Sequence, residues 1–420
     1  MAEYFWLAMV AQVAAGSRLA AAQLPRSYGV EQYEVAITPD LAAKRIAGEE
    51  TIYYQSRIDR LDPLDLDAGD LEISSVLDGG TRQWFERKDK VLIVVLSTPA
   101  RPGQHRSITI RYQAGPAEGL VFFPDQVYTR PFTSDWMVCN DRPDERATLR
   151  LTVAAPGDLK AAATERIDSP APPYLYGFAA GAFTESTEEV NGVKLRVLGR
   201  ASVAELAGAE LTGAVLRFLA ERTGKPYPGS AYTQVFVHGD VTGTGAGLTL
   251  LPESYGEKLS RTPDDLGPLA REAARQWYGV AIPCRDWSDF WLSEGLATFL
   301  ADAFLEQRFG KPRYEREIER SRQIHEGLKA EGKDRPLSDS VAENLRQAGG
   351  EIPTHKGVWV LSLLRRQLAD VAFWGGLRRY TSDYWGRPVT SEDFEKSIQT
   401  ASRKDLTKFF ERWVNGCCTR

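Results

Sequence analysis

Two stretches constrain this chain more than any others: Arg271-Glu272-Ala273-Ala274-Arg275-Gln276-Trp277-Tyr278-Gly279 and Trp291-Leu292-Ser293-Glu294-Gly295. On a helix, Arg271 and Arg275 lie four apart and project from one face, with Glu272 beside them. Glu294 follows Arg275 by 19 positions, one short loop and half a helix later. Taken alone, such a pair of arginines reads as a solvated helix face, because Arg is mostly exposed. What surrounds the pair decides whether that reading holds.

The chain divides by periodicity. From Tyr28 to about Gly192 the pattern alternates with period two, as in Tyr33, Val35 and Ile37, in Ile108, Ile110 and Tyr112, and in Leu149, Leu151 and Val153. Alternation of this kind predicts half-buried antiparallel sheet. Val91 to Leu96 is a continuous apolar run and predicts a strand buried on both faces. After about Arg200 the period becomes helical. Ser202 and Glu205 form a capping box for a helix to Thr223, Pro268 suits the first turn of a helix ending near Gly279, and Ser288 is placed to cap a helix that stops at Gly310. The expected fold class is α+β, with a β domain over 28–192 and a mainly helical domain over 200–420.

Length and composition exclude several classes. With 420 residues, 43% hydrophobic and 26% charged, the chain suits two or three domains with sizeable cores. A net charge of -5 gives no reason to expect a nucleic-acid partner. The four histidines, His105, His238, His325 and His355, never stand in pairs at metal-binding spacing. Of the four cysteines, Cys139 and Cys284 read best as single buried thiols, and Cys417 and Cys418 stand at the very end. Phe5 to Gly16 is mostly apolar and Ala20-Ala21-Ala22 follows, so residues 1–22 resemble a signal peptide, although Glu3 replaces the usual positive charge. Export to the periplasm or the exterior is expected if they are one, and a cytoplasmic location otherwise. No later segment is long and apolar enough to span a membrane.

The order of a β half, two strands around Gly243–Gly247, an E-x-x-x-Q-W-Y-G helix and a W-L-S-E-G-L-A helix resembles the alanyl aminopeptidase family of gluzincin zinc peptidases. The likeness covers about residues 28–420. It rests on Arg271–Gly279 against H-E-x-x-H-x-W-x-G and on Trp291–Ala297 against W-L-x-E-G-x-A. Asp141-Arg142-Pro143, Lys356-Gly357 and Phe409–Gly416 support it. The resemblance implies a saddle-like antiparallel β domain followed by a thermolysin-like domain. It places Arg271 and Arg275 where the family has zinc-binding histidines, Glu272 at the general base and Glu294 at the third zinc ligand. Thr354 and His355 fall where the family has its transition-state tyrosine, and Gly245, Ala246, Gly247 and Leu248 fall on the substrate groove. The family's amine-binding glutamate has no counterpart between Thr244 and Gly247.

Several expectations follow from these positions. Arg offers a metal no lone pair, so no zinc and no other cofactor is expected, and zinc-dependent hydrolysis is predicted to be lost. Arg271 and Arg275 are instead expected to pair with Glu272 and Glu294 in a buried salt-bridge cluster. His355 reads as a helix-cap or surface histidine before it reads as a substitute donor. The first functional expectation is a non-catalytic protein that binds a peptide or protein, for example by strand addition along Leu248–Leu251. The alternatives are an atypical or metal-free hydrolase using Glu272, and a module that holds an anion with Arg271 and Arg275.

Overall fold

The computed structural model describes residues 26–416 except 165, 202–208 and 339–349. The signal-like residues 1–22, the capping box of Ser202 and Glu205, and Cys417 and Cys418 lie outside the described residues. In the first half, the hairpin of Tyr28–Asp40 and Arg45–Ser56 sits in the middle of a seven-stranded sheet. Tyr33, Val35 and Ile37 point into the core, as period two requires. The pairings are antiparallel except that of Tyr28–Asp40 with Ala147–Val153, which is parallel. A four-stranded and a three-stranded sheet complete this half.

Two expectations for the β half are corrected. The run at Val91 is not buried on both faces. In strand Val91–Val95, Leu92 and Val94 are buried while Val95 is 37% exposed, because the small sheet it forms with Leu64–Asp67 and Trp84–Lys88 turns only one face to the core. The boundary at residue 192 falls inside a hairpin. Thr184–Val190 and Val193–Gly199 pair through the turn Asn191-Gly192, both at positive φ, as a tight two-residue turn demands. Both strands belong to the next sheet, so the β half ends between Gly181 and Thr184. Alternation reports a strand's buried face and is silent on which sheet it joins.

That next sheet runs Thr184–Val190, Val193–Gly199, Ala231–Val237, Leu248–Pro252, Gly243–Gly245, with its three middle strands parallel. Helices pack against it and on one another. Helix Gly267–Ala274, with Pro268 in its first turn, ends five residues before the expected Gly279, and the chain turns through Arg275–Tyr278. Helix Trp291–Phe309 is buried along most of its length and ends at Gly310, φ +84°. Ser288 does not cap it. Asp286 accepts from the Ser288 N–H in a short turn before the helix begins. A Cβ at Gly295 would meet Gly357 Cα and the Pro353 carbonyl at 3.2 Å, so only glycine lets helix Gly357–Leu368 lie this close. Among the described residues, no helix is long and apolar enough to cross a membrane. Cys139 and Cys284 are free and buried.

Glu50 is the exception in the β core. It is fully buried on strand Arg45–Ser56; its Oε1 accepts from the Val138 N–H at 3.0 Å, and Oε2 has no partner. Burial pushes its carboxyl well above the usual carboxylate range. A carboxyl whose folded pKa is raised costs stability as pH climbs above the unfolded value, because the folded state holds the proton longer. Glu50→Gln is therefore expected to raise the melting temperature by a few degrees at pH 8 and hardly at pH 4. Thermal unfolding of both chains across that range checks this.

Candidate functional site

Helices Gly267–Ala274 and Trp291–Phe309 pack side by side and bring Glu272 and Glu294 to the two sides of one guanidinium. Arg275, just past the end of the first helix, donates from Nη1 to both oxygens of Glu272, at 2.7 and 3.0 Å, and from Nη2 to Glu294 Oε2. Glu272 is fully buried and also accepts from Arg271 Nε at 3.1 Å and from the Thr244 hydroxyl at 2.5 Å. Burial alone would raise the Glu272 carboxyl, but Arg275 and then Arg271 outweigh it and hold the group below its usual range. Burial would likewise lower Arg275, and the two carboxylates reverse that. Arg275 Nε is buried without a partner among the described residues.

Arg271 differs from the expectation. It touches Glu272 through Nε alone and does not reach Glu294, its side chain is 31% exposed, and its terminal nitrogens make no hydrogen bond among the described residues. The tight cluster is therefore Glu272, Arg275 and Glu294, with Arg271 at its margin. The physical reason is reach: Arg275 already fills the space between the two carboxylates.

The groove is also rearranged relative to the expectation. Strand Leu248–Pro252 is flanked by Ala231–Val237 on one side and Gly243–Gly245 on the other, so Leu248–Leu251 has no free edge for an added peptide. The sheet edge is Gly243–Gly245. Gln276 fixes this hairpin: its Nε2 donates to the Gly245 carbonyl and its Oε1 accepts from the Gly247 N–H, both at 3.0 Å. Ala246 N–H donates to the Leu175 carbonyl, which ties the turn to the β half. Thr244 and Gln276 were not assigned these roles from sequence. The only signal was an amide and a hydroxyl in otherwise apolar or glycine-rich company, and their partners lie about 30 positions away.

Thr354 and His355 lie in a π-helical turn, Ile352–Lys356, leading into helix Gly357–Leu368. His355 is neither a cap nor a surface group. It is half-buried, with Nδ1 3.2 Å from the Ser321 hydroxyl, and burial, Arg320 and Arg271 together lower its pKa to about 4. Between the two halves is a cavity of about 340 Å³ walled by Tyr174, Trp287, Phe290 and Tyr278, with Arg275 and Glu294 on its lining. Among the described residues, no group of three or more His, Cys, Asp or Glu side chains is placed to hold a metal ion.

Residues 261–413 match the Peptidase family M1 domain. That segment lies in the helical half, and the chain as a whole is similar to aminopeptidases. It is similar to aminopeptidase Ey of Gallus gallus, 23% identical over 79% of this chain and 40% of the relative. It is also similar to aminopeptidase M1 of Arabidopsis thaliana, 23% identical over 92% of this chain and 45% of the relative. The chain thus spans about half the length of the curated relatives it matches. The crystal structure of an M1 zinc metallopeptidase from Deinococcus radiodurans superposes with a TM-score of 0.78 at 23% identity, covering 93% of this chain and 95% of that one. The likeness to that structure is one of fold: a strand-rich half followed by a helical half.

The Arg275 geometry carries a stability prediction. Arg275→Ala leaves Glu272 and Glu294 facing each other without their cation, and breaking a buried pair in this way costs about 3–5 kcal/mol. Arg271→Ala, at the exposed margin, is expected to cost no more than about 1 kcal/mol. Because the Glu272 carboxyl is held low, its contribution is present above the ordinary carboxylate range and is lost as pH falls through the depressed value. The deficit of Arg275→Ala should therefore shrink from pH 7 toward about pH 3, as urea unfolding at several pH values will show.

Proposed function

We propose that this aminopeptidase-family chain is a non-catalytic binder of peptides or proteins. The observation that carries the reading is Arg275 hydrogen-bonded to Glu272 and Glu294 at once. Zinc, which the family implies, does not suit these donors. A guanidinium has no lone pair for a metal, and the two remaining carboxylates are already hydrogen-bonded to one. A catalytic zinc needs three protein ligands. Metal-free use of Glu272 as a base is disfavoured as well, since its two oxygens accept four hydrogen bonds and its proton affinity is depressed.

The aromatic cavity supports a peptide ligand. A solved structure of the Deinococcus radiodurans metallopeptidase variant holds a Tyr-Ser-Ala substrate, and structures of a two-domain M1 zinc metallopeptidase variant hold L-tryptophan and L-arginine. By analogy, the walls formed by Tyr174, Trp287, Phe290 and Tyr278 suit an aromatic side chain. An extended peptide would add along Gly243–Gly245, the sheet edge that borders the cavity.

Metal content and turnover of fluorogenic aminoacyl substrates, measured beside the double variant Arg271→His, Arg275→His, test the proposal. The unaltered chain should hold no stoichiometric zinc and turn over no substrate, while the double variant should gain about one zinc per chain on the three-ligand rule. Stoichiometric zinc in the unaltered chain, or turnover that disappears in Glu272→Gln, would overturn it.

A further inference from the structure

Both halves of the chain hold His238. Its Nε2 lies 3.2 Å from Asp125 Oδ2, and its Nδ1 lies 2.9 Å from Glu253 Oε2. Asp125 belongs to the β half, just before strand Gln126–Thr129, and its carbonyl accepts from the Ala182 N–H at 3.0 Å. Glu253 opens helix Glu253–Arg261 of the second half. An ionised carboxylate only accepts, and a neutral imidazole has a single N–H. Both contacts are therefore satisfied at once only by the imidazolium, which carries a proton on each nitrogen. A neutral ring sets its lone pair against one of the two carboxylates.

We propose that His238 is a proton-dependent clasp between the two halves: as the imidazolium it ties residues 238–242 to Asp125, and on losing its proton it lets that segment loosen. The segment leads from strand Ala231–Val237 to the edge strand Gly243–Gly245, and Thr242 and Gly243 line the aromatic cavity. The clasp thus sets how firmly one wall of that cavity is held. The proposal goes beyond the peptide reading and does not depend on it.

Solvent decides which contact gives way. The Asp125 side chain is 53% exposed and that of Glu253 only 10%, so water can replace the ring at Asp125 far more readily than at Glu253. The contact that crosses between the halves is the one released. Around the pair, Arg200 Nε lies 2.7 Å from the other oxygen of Glu253, and Arg200 Nη1 lies 3.9 Å from Glu257. On the β-half side, the Tyr128 hydroxyl, with Arg130 and Asp240 near it, donates to the His238 carbonyl at 2.9 Å. The Phe123 ring stands 5.2 Å from the imidazole. The His238 backbone N–H donates to Gln126 Oε1 at 3.1 Å. These two backbone bonds are indifferent to the imidazole proton, so opening the clasp loosens the segment without unfolding it. Imidazole changes charge between about pH 5 and 8, which closes the clasp at the acid end of that window and opens it at the alkaline end.

Nuclear magnetic resonance of the full chain carrying isotope-labelled histidine reads the protons on the His238 ring, and amide hydrogen exchange reads the segment. At about pH 5.5 both ring nitrogens should be protonated, and amides 239–242 should be about fivefold better protected than at about pH 8.5, each measured against an unstructured chain at the same pH. Strand Ala231–Val237 should keep the same protection at both. Asp125→Asn puts an amide at a half-exposed position, where it can turn its oxygen or its NH2 to either form of the ring. That variant should fold as the unaltered chain does and lose the difference between the two pH values. A His238 ring with one proton at the lower pH, equal protection of 239–242 at both, or a difference that survives in Asp125→Asn overturns the proposal.

Discussion

Two carboxylates from neighbouring helices, buried on the same side of a helix–helix contact, cannot stay charged without a cation between them. This constraint organises the second half of the chain. Glu272 and Glu294 are fixed by packing that has little to do with charge: Trp277 and Trp291 are buried in the same core, and Gly295 lets helix Gly357–Leu368 come within van der Waals contact. The scaffold presents the two carboxylates, and Arg275 answers them. Its planar fork suits the task, since one nitrogen can serve Glu272 while the other serves Glu294.

The same locus links the sheet to the helices. Thr244, on the edge strand, donates to Glu272, and Gln276, next to Arg275, holds the backbone of the same hairpin on both sides of its turn. A change in the ion cluster would therefore reach the sheet edge through two hydrogen-bonded paths. The turn at Ala246 is pinned to Leu175 of the β half, so hydrogen bonds link the cavity wall, the sheet edge and the ion cluster.

Much of this was legible in the sequence. Period-two alternation in Tyr33, Val35 and Ile37 placed the first strands, Pro268 and Gly310 marked helix ends, and the helix expected to reach Thr223 stops there. The four-residue spacing of Arg271 and Arg275 and the later Glu294 identified the residues that meet. What sequence could not supply was direction and reach. Arg271 and Arg275 have the same neighbour in Glu272, yet only Arg275 also bonds Glu294, because it sits one turn nearer the second helix. Strand Leu248–Pro252 looked like a groove edge until the short Gly243–Gly245 strand folded over it, and glycine-rich residues give no alternation to foretell that. Asn191-Gly192 is itself a hairpin signal, but nothing in the side chains says which sheet the hairpin joins.

Arg275 is attached to the chain by covalent bonds, and this changes what kind of site it belongs to. A positive charge delivered by a dissolved ion can be lost, exchanged or competed for, so its site has loaded and empty forms. A positive charge delivered by the backbone has no empty form. The pairing forms as the two helices dock, and its strength varies with the protonation of Glu272 rather than with the supply of a dissolved cation. The charge balance at this locus draws on a residue of the chain itself, and altering the cation that sits there means altering the residue.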